Sequence, residues 1–209
     1  MNSSKLLGQV TLVLGVIKKQ AHIRQRLSAF GYDDYQIQEG EKLQKLLQGV
    51  LQKEQKALTQ SQQATHSLHC TRDHIQARYQ QQVAIVRQAF GRHAEVSRLL
   101  KLSTKENESM ETWLLQVQHF YQHAPRFADT LQAYGVSLTE LEEIRILARQ
   151  MAELAELQKH LQLRINRINQ EKQRVSRQAE VWYLRLIRVS RLALQGAPQN
   201  LELLGIATA

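Results

Sequence analysis

From Val136 to Gln195 the chain runs sixty residues without a glycine or proline, and residues 50–90 contain neither. Both stretches carry apolar residues at spacings of three, four or seven. The first reads Leu47, Val50, Ala57, Ala64, Leu68 and Ile75; the second reads Leu161, Ile165, Ile168, Val175, Ala179 and Trp182. That period is the period of one helical face, whereas a strand would alternate every second residue. Thr65 and Asn169 are mediocre helix formers and mark the places where each helix would be expected to break. A break would shift the phase of the stripe, and the phase holds. The spacing therefore predicts two continuous helices of about 55 residues, each roughly 80 Å long. Neither is interrupted over residues 60–72 or 164–176.

A shift of 104 residues lays 5–102 on 109–206 without a gap. Leu27-Ser28-Ala29-Phe30-Gly31 then meets Leu131-Gln132-Ala133-Tyr134-Gly135, Tyr79 meets Tyr183, and Leu99-Leu100 meets Leu203-Leu204. Only 11 of those 98 pairs are identical, so the shared apolar phase carries the case. The chain reads as a duplication, with one copy over 1–104 and the other over 105–209. Each copy is expected to open with a helix of about 25 residues, over 3–29 and 109–133. Gly31 and Gly135 stand where a left-handed residue would end it. Asp33 with Gln36, and Ser137 with Glu140, have the spacing of capping pairs that start the long helix. By the same alignment Leu6–Ile17, which faintly imitates a secretory signal, reads as a structural helix. Lys18 and Lys19 stand where a cleavage site would be, and the run is too short to cross a bilayer.

Short matching pieces run through most of the chain: Phe120-Tyr121, Ala133-Tyr134-Gly135, Ala64-Thr65, Arg72-Asp73, Arg87-Gln88-Ala89-Phe90 and the finish Pro198 to Ile206. In these the chain resembles an uncharacterised bacterial all-helical family. The resemblance implies the helical fold and implies no activity, cofactor or partner.

Only 9 Gly and 2 Pro occur in 209 residues, which argues against a sandwich, a barrel or a many-turned α/β fold. The single Cys excludes an intramolecular disulfide framework and fits a reducing, cytoplasmic setting. Gly-rich phosphate loops, Gly-x-Ser-x-Gly and His-Glu-x-x-His are absent from the sequence, so no enzyme class and no cofactor is indicated. His66, His69, Cys70, Asp73 and His74 have metal-ligand chemistry. One straight helix is an awkward tetrahedral cage, however, and a solvent-facing polar stretch explains them better.

Charge is the strongest functional pointer. The net formal charge is +9. In the second copy, residues 138–156 hold five Glu against two Arg, whereas 159–191 hold nine Lys or Arg against Glu171 and Glu180. Arg164, Arg167, Arg174, Arg185 and Arg188 fall along one helical line beside the apolar stripe. Such a ridge could track phosphates without reading sequence. Long-stemmed Arg side chains also simply solvate a helix face and cover its apolar border.

The expected fold is thus an all-α elongated bundle of two tandem helical hairpins, with coiled-coil-like long helices lying antiparallel. Each short helix covers only half of its long partner, so an antiparallel pair buries both uncovered halves; a parallel, staggered pairing is the alternative. Residues 91–108 would cross back about 40 Å, within the roughly 60 Å that 18 extended residues can reach. Leu99, Leu100, Leu102, Leu203, Leu204 and Ile206 would pack as the chain returns. The expected function is a non-enzymatic scaffold or protein-interaction protein, with a protein partner or a second copy and no membrane span. Sequence-independent binding of nucleic acid or another polyanion is the alternative.

Overall fold

Helix follows the apolar period almost everywhere in the computed structural model, which describes residues 2–91, 93–102 and 109–207. Helix α1 spans Ser3–Lys19, α2 Ala21–Ala29, α3 Asp34–Phe90 and α4 Ala94–Leu99. Helix α5 spans Met110–His123, a 3₁₀ turn covers Ala124–Phe127, and α6 Ala128–Gln132, α7 Leu138–Ala193 and α8 Pro198–Leu203 follow. Among the described residues there is no strand. Helices α3 and α7 are unbroken through 60–72 and 164–176, and are 57 and 56 residues long.

The stops before the long helices and the caps that start them are those the sequence predicts. Gly31 and Gly135 adopt φ of +81° and +83°. In each case the two backbone N–H groups after the helix fold back: Gly31 to Ser28 and Tyr32 to Leu27, then Gly135 to Gln132 and Val136 to Leu131. This double closure satisfies carbonyls that a helix end leaves open, and glycine takes the left-handed position without a Cβ clash. Asp33 Oδ1 accepts from the N–H groups of Tyr35 and Gln36, and Ser137 Oγ from that of Glu140. Glu140 itself is held by Arg78, at 3.1 Å.

The opening helices differ from expectation: neither 3–29 nor 109–133 is one helix. The second breaks because Pro125 has no N–H to continue the ladder, and the chain tightens into the 3₁₀ turn. The first breaks at Gln20, where φ of −110° and ψ of 87° leave helical space without any proline. At the shift of 104 residues Gln20 falls on Ala124, so both breaks share one position. Residues 92 and 103–108 lie outside the described residues, and with them the expected span of the 91–108 connection.

The chain forms two compact units, Met1–Thr59 with Leu163–Ala209 and Gln60–Gln162. Each draws on both sequence halves, 1–104 and 105–209, and the long helices pack against each other. In the first unit α1 and α2 bury Val10, Val13, Ile17, Ile23 and Leu27 against Leu47 of α3 and Val175 and Leu186 of α7. The tail closes this core, with Leu201, Leu204 and Ile206 buried. Leu203, expected to pack, is instead 50% exposed. Leu201 and Leu204 are three residues apart and share a helical face, while Leu203 points about 100° away.

In the second unit Leu68, Ile75 and Tyr79 of α3 meet Val117, Phe120 and Tyr121 of α5 and Leu141, Ile144 and Met151 of α7. Tyr79 packs edge-on against Phe120, with centroids 5.2 Å apart. The segment after α4 docks here through Leu100 and Leu102, both buried, while Leu99 is only half-buried. Carbonyls at this end of α4 and after it are claimed by side chains: His119 reaches Leu99, Gln116 donates to Lys101, and Arg87 donates to Leu102 at 2.7 Å.

Candidate interaction groove

All five arginines of the predicted ridge, Arg164, Arg167, Arg174, Arg185 and Arg188, are exposed on α7 in the first unit. They do not form the most structured basic feature by themselves. Arg185 joins Arg177 of α7 and Lys42 of α3 around an open groove of about 570 Å³. Leu43 and Leu46 line it from α3, and Val181 and Trp182 from α7. Leu46 is 52% exposed and Val181 50%, so the apolar wall is open to water. Glu39 is the one carboxylate among the described lining residues. Lys42, Arg177 and Arg185 take part in no ion pair among the described residues, whereas nearby Lys53 and Lys172 are paired with Glu171 and Glu54.

Trp182 fixes the groove floor. Its indole N–H donates to the Gln36 carbonyl at 2.8 Å, and its ring lies over Gly40. A Cβ at position 40 would stand 2.1 Å from Trp182 Cζ2, closer than any real contact. Tyr32 supports the same corner: its hydroxyl donates to the Trp182 carbonyl at 3.1 Å, with ring centroids 6.0 Å apart. Burial pushes the Tyr32 phenol well above its ordinary range; Arg185 opposes the shift and Glu39 adds to it. The phenol stays a donor, which keeps the Trp182 backbone in place. An anchored indole beside three unpaired cations and two exposed aliphatic side chains can hold an apolar group with acidic flanks.

Reading the sequence missed this groove. Lys42 and Arg185 lie 143 positions apart, and a helical line along 164–188 does not reach α3. The available signal was Gly40, an isolated glycine inside a helical pattern, which implies close approach of a neighbour.

The polar stretch on α3 brings Cys70 Sγ within 3.7 Å of His66 Nε2 on the exposed surface. Among the described residues no group of three or more His, Cys, Asp and Glu is placed to hold a metal, so His69, Asp73 and His74 do not complete that pair into a site. Also among the described residues, no helix is long and apolar enough to cross a membrane.

In the second unit the rings of His119 and His123 meet at a tilt of 58°, with centroids 4.5 Å apart. Burial, then positive charge on His119, Arg126 and Lys101, holds the His123 proton affinity below that of an ordinary imidazole. The unfolded chain therefore binds more protons at this position, and folding stability rises with pH across the ordinary His range. The contribution is present above the unfolded pKa and is lost as pH falls below it. The melting temperature of the wild type relative to His123→Gln is expected to climb between about pH 5 and about pH 8. A pH-independent difference in melting temperature would refute this.

Comparison with known protein families, curated proteins and solved structures returned no match.

Proposed function

We propose that this chain is a non-enzymatic helical scaffold that binds another protein chain through the groove floored by Trp182. The observation that carries the reading is the pairing of exposed Leu46 and Val181 with Lys42, Arg177 and Arg185 in one concave site. Apolar surface supplies the association energy, and the unpaired cations select an acidic partner.

The scaffold is two tandem hairpins with the long helices antiparallel. Supporting the direction, Gln36 meets Trp182 and Glu54 meets Lys172 in one unit, while Thr65 meets Gln158 and Arg78 meets Glu140 in the other. Partner numbers fall as residue numbers rise. Supporting the duplication, α4 and α8 occupy matching residues 94–99 and 198–203, and Lys101 and Gly205 after them both have positive φ.

Sequence-independent polyanion binding is the second reading, favoured by the exposure of all five ridge arginines on α7. A photo-crosslinking residue placed at Leu46, with Leu115 of the second unit as control, separates the two in living cells. Protein adducts at 46 and not at 115 are expected. Adducts with nucleic acid in their place, or none at 46, would overturn the protein-binding reading.

A further inference from the structure

From the apposition of charge patterns on two parts of the same chain, we infer that the occupant of the groove is a second copy, which presents the acidic stripe of its own α7. This rests on the protein-binding reading and names the partner.

The stripe lies in the second unit, where Glu143, Ile146, Gln150, Glu153 and Leu157 follow one another at spacings of three and four. That spacing is the seam of a coiled coil, but here it faces water: all five are exposed, Ile146 at 53% and Leu157 at 47%. It is a helix face with apolar knobs and nothing covering them among the described residues. Arg145 is engaged with Glu142, while Glu143 and Glu153 belong to no ion pair among the described residues.

The two patterns fit in order and in length. The stripe reads acid, aliphatic, acid through Glu143, Ile146 and Glu153; the α7 wall of the groove reads Arg177, Val181, Arg185. At 1.5 Å per residue the two carboxylates are about 15 Å apart along the helix axis and the two guanidinium groups about 12 Å. Long flexible side chains close that difference. Lys42, across the groove on α3, adds a third cation. A chain cannot fill its own groove in this way. Glu153 and Arg177 are 24 positions apart within one uninterrupted helix, so the stripe cannot turn back. Charge complementarity thus selects another molecule, and the same chain supplies the complement.

The test is a charge swap on the full chain. One variant carries Lys42→Glu, Arg177→Glu and Arg185→Glu; the other carries Glu143→Lys and Glu153→Lys. Mass is followed by light scattering on a sizing column across a concentration series, with circular dichroism confirming helix in each variant. The wild type is expected to self-associate and to weaken as salt screens the exposed pairs. Each variant alone should lose at least tenfold in self-association, because like charges then face each other. Mixing the two should restore assembly, since the reversed groove of one variant meets the reversed stripe of the other, and the unchanged stripe meets the unchanged groove. If a triple reversal fails to fold, the charge-removing variants Arg185→Gln and Glu153→Gln carry the same comparison with a smaller loss. A wild type that stays monomeric at all concentrations, an assembly indifferent to both variants, or a mixture that fails to recover would each overturn the inference. Monomeric protein that still gives adducts with other proteins at position 46 would sink self-association and leave the protein-binding reading standing. No protein adduct at 46 would sink both.

Discussion

Gly40→Ala is expected to destabilise the protein by about 1–3 kcal/mol, although alanine is the better helix former by about 1 kcal/mol. The reason is local. The new methyl would stand 2.1 Å from Trp182 Cζ2, and that ring is tethered by its hydrogen bond to Gln36. The indole cannot move off Gly40 without giving up the bond, and Tyr32 holds the backbone behind it. Trp182→Ala alone should cost about 3–5 kcal/mol, the usual range for deleting a large buried aromatic side chain. The two substitutions are coupled, so their combination is the sharper experiment. With Trp182 already replaced by Ala, the space over position 40 is open and only helix propensity remains. Gly40→Ala should then become neutral or stabilising. A double-mutant cycle read by denaturant melts would show this change of sign. An equal loss in both backgrounds would mean that the indole does not occupy the glycine gap. The same pair governs the groove, since loss of the floor should also weaken whatever binds there.

The long helices were legible because nothing competed with their pattern. Over α3 the stripe from Leu47 to Val86 never changes phase, and Thr65 sits inside it where its hydroxyl accepts from Gln158, at 3.0 Å. A weak helix former was overruled by packing, as propensity commonly is. The caps were legible because Asp33 and Ser137 need only neighbours two or three residues away. What escaped was of two kinds. The break at Gln20 has no proline or glycine to announce it, and only the matching break carries a local signal, Pro125. The groove escaped for a different reason. Its cations come from two helices whose pairing is tertiary, and a one-dimensional reading could trace only the ridge along α7. Of that ridge, Arg185 alone lines the groove; Arg164, Arg167, Arg174 and Arg188 do not.

Leu204→Asp should lower stability by several kcal/mol, whereas Leu203→Asp, one residue away, should change it by less than about 0.5 kcal/mol. Leu204 has no solvent exposure and packs in the core of the first unit with Leu201 and Ile206. Removing a buried leucine costs about 2–5 kcal/mol before any polar group is considered. A carboxyl in its place must be buried without a partner or must drag the tail out into water. Either route loosens α8, which is also tied to α2 through Asn200 and His22, at 3.3 Å. Gly205 follows at φ of +69°, and a Cβ there would lie only 3.0 Å from Leu12 Cδ2. The turn that carries Leu204 inward therefore runs directly against α1. Leu203, the last residue of α8, is turned about 100° from Leu204 and faces water, and has little packing to lose. Thermal melts of the two single variants decide the matter, with Leu204→Ala as the milder control. If Leu203→Asp and Leu204→Asp melted alike, the tail would not dock through one face of α8. If neither moved the melt, the tail would contribute nothing to the first unit's core.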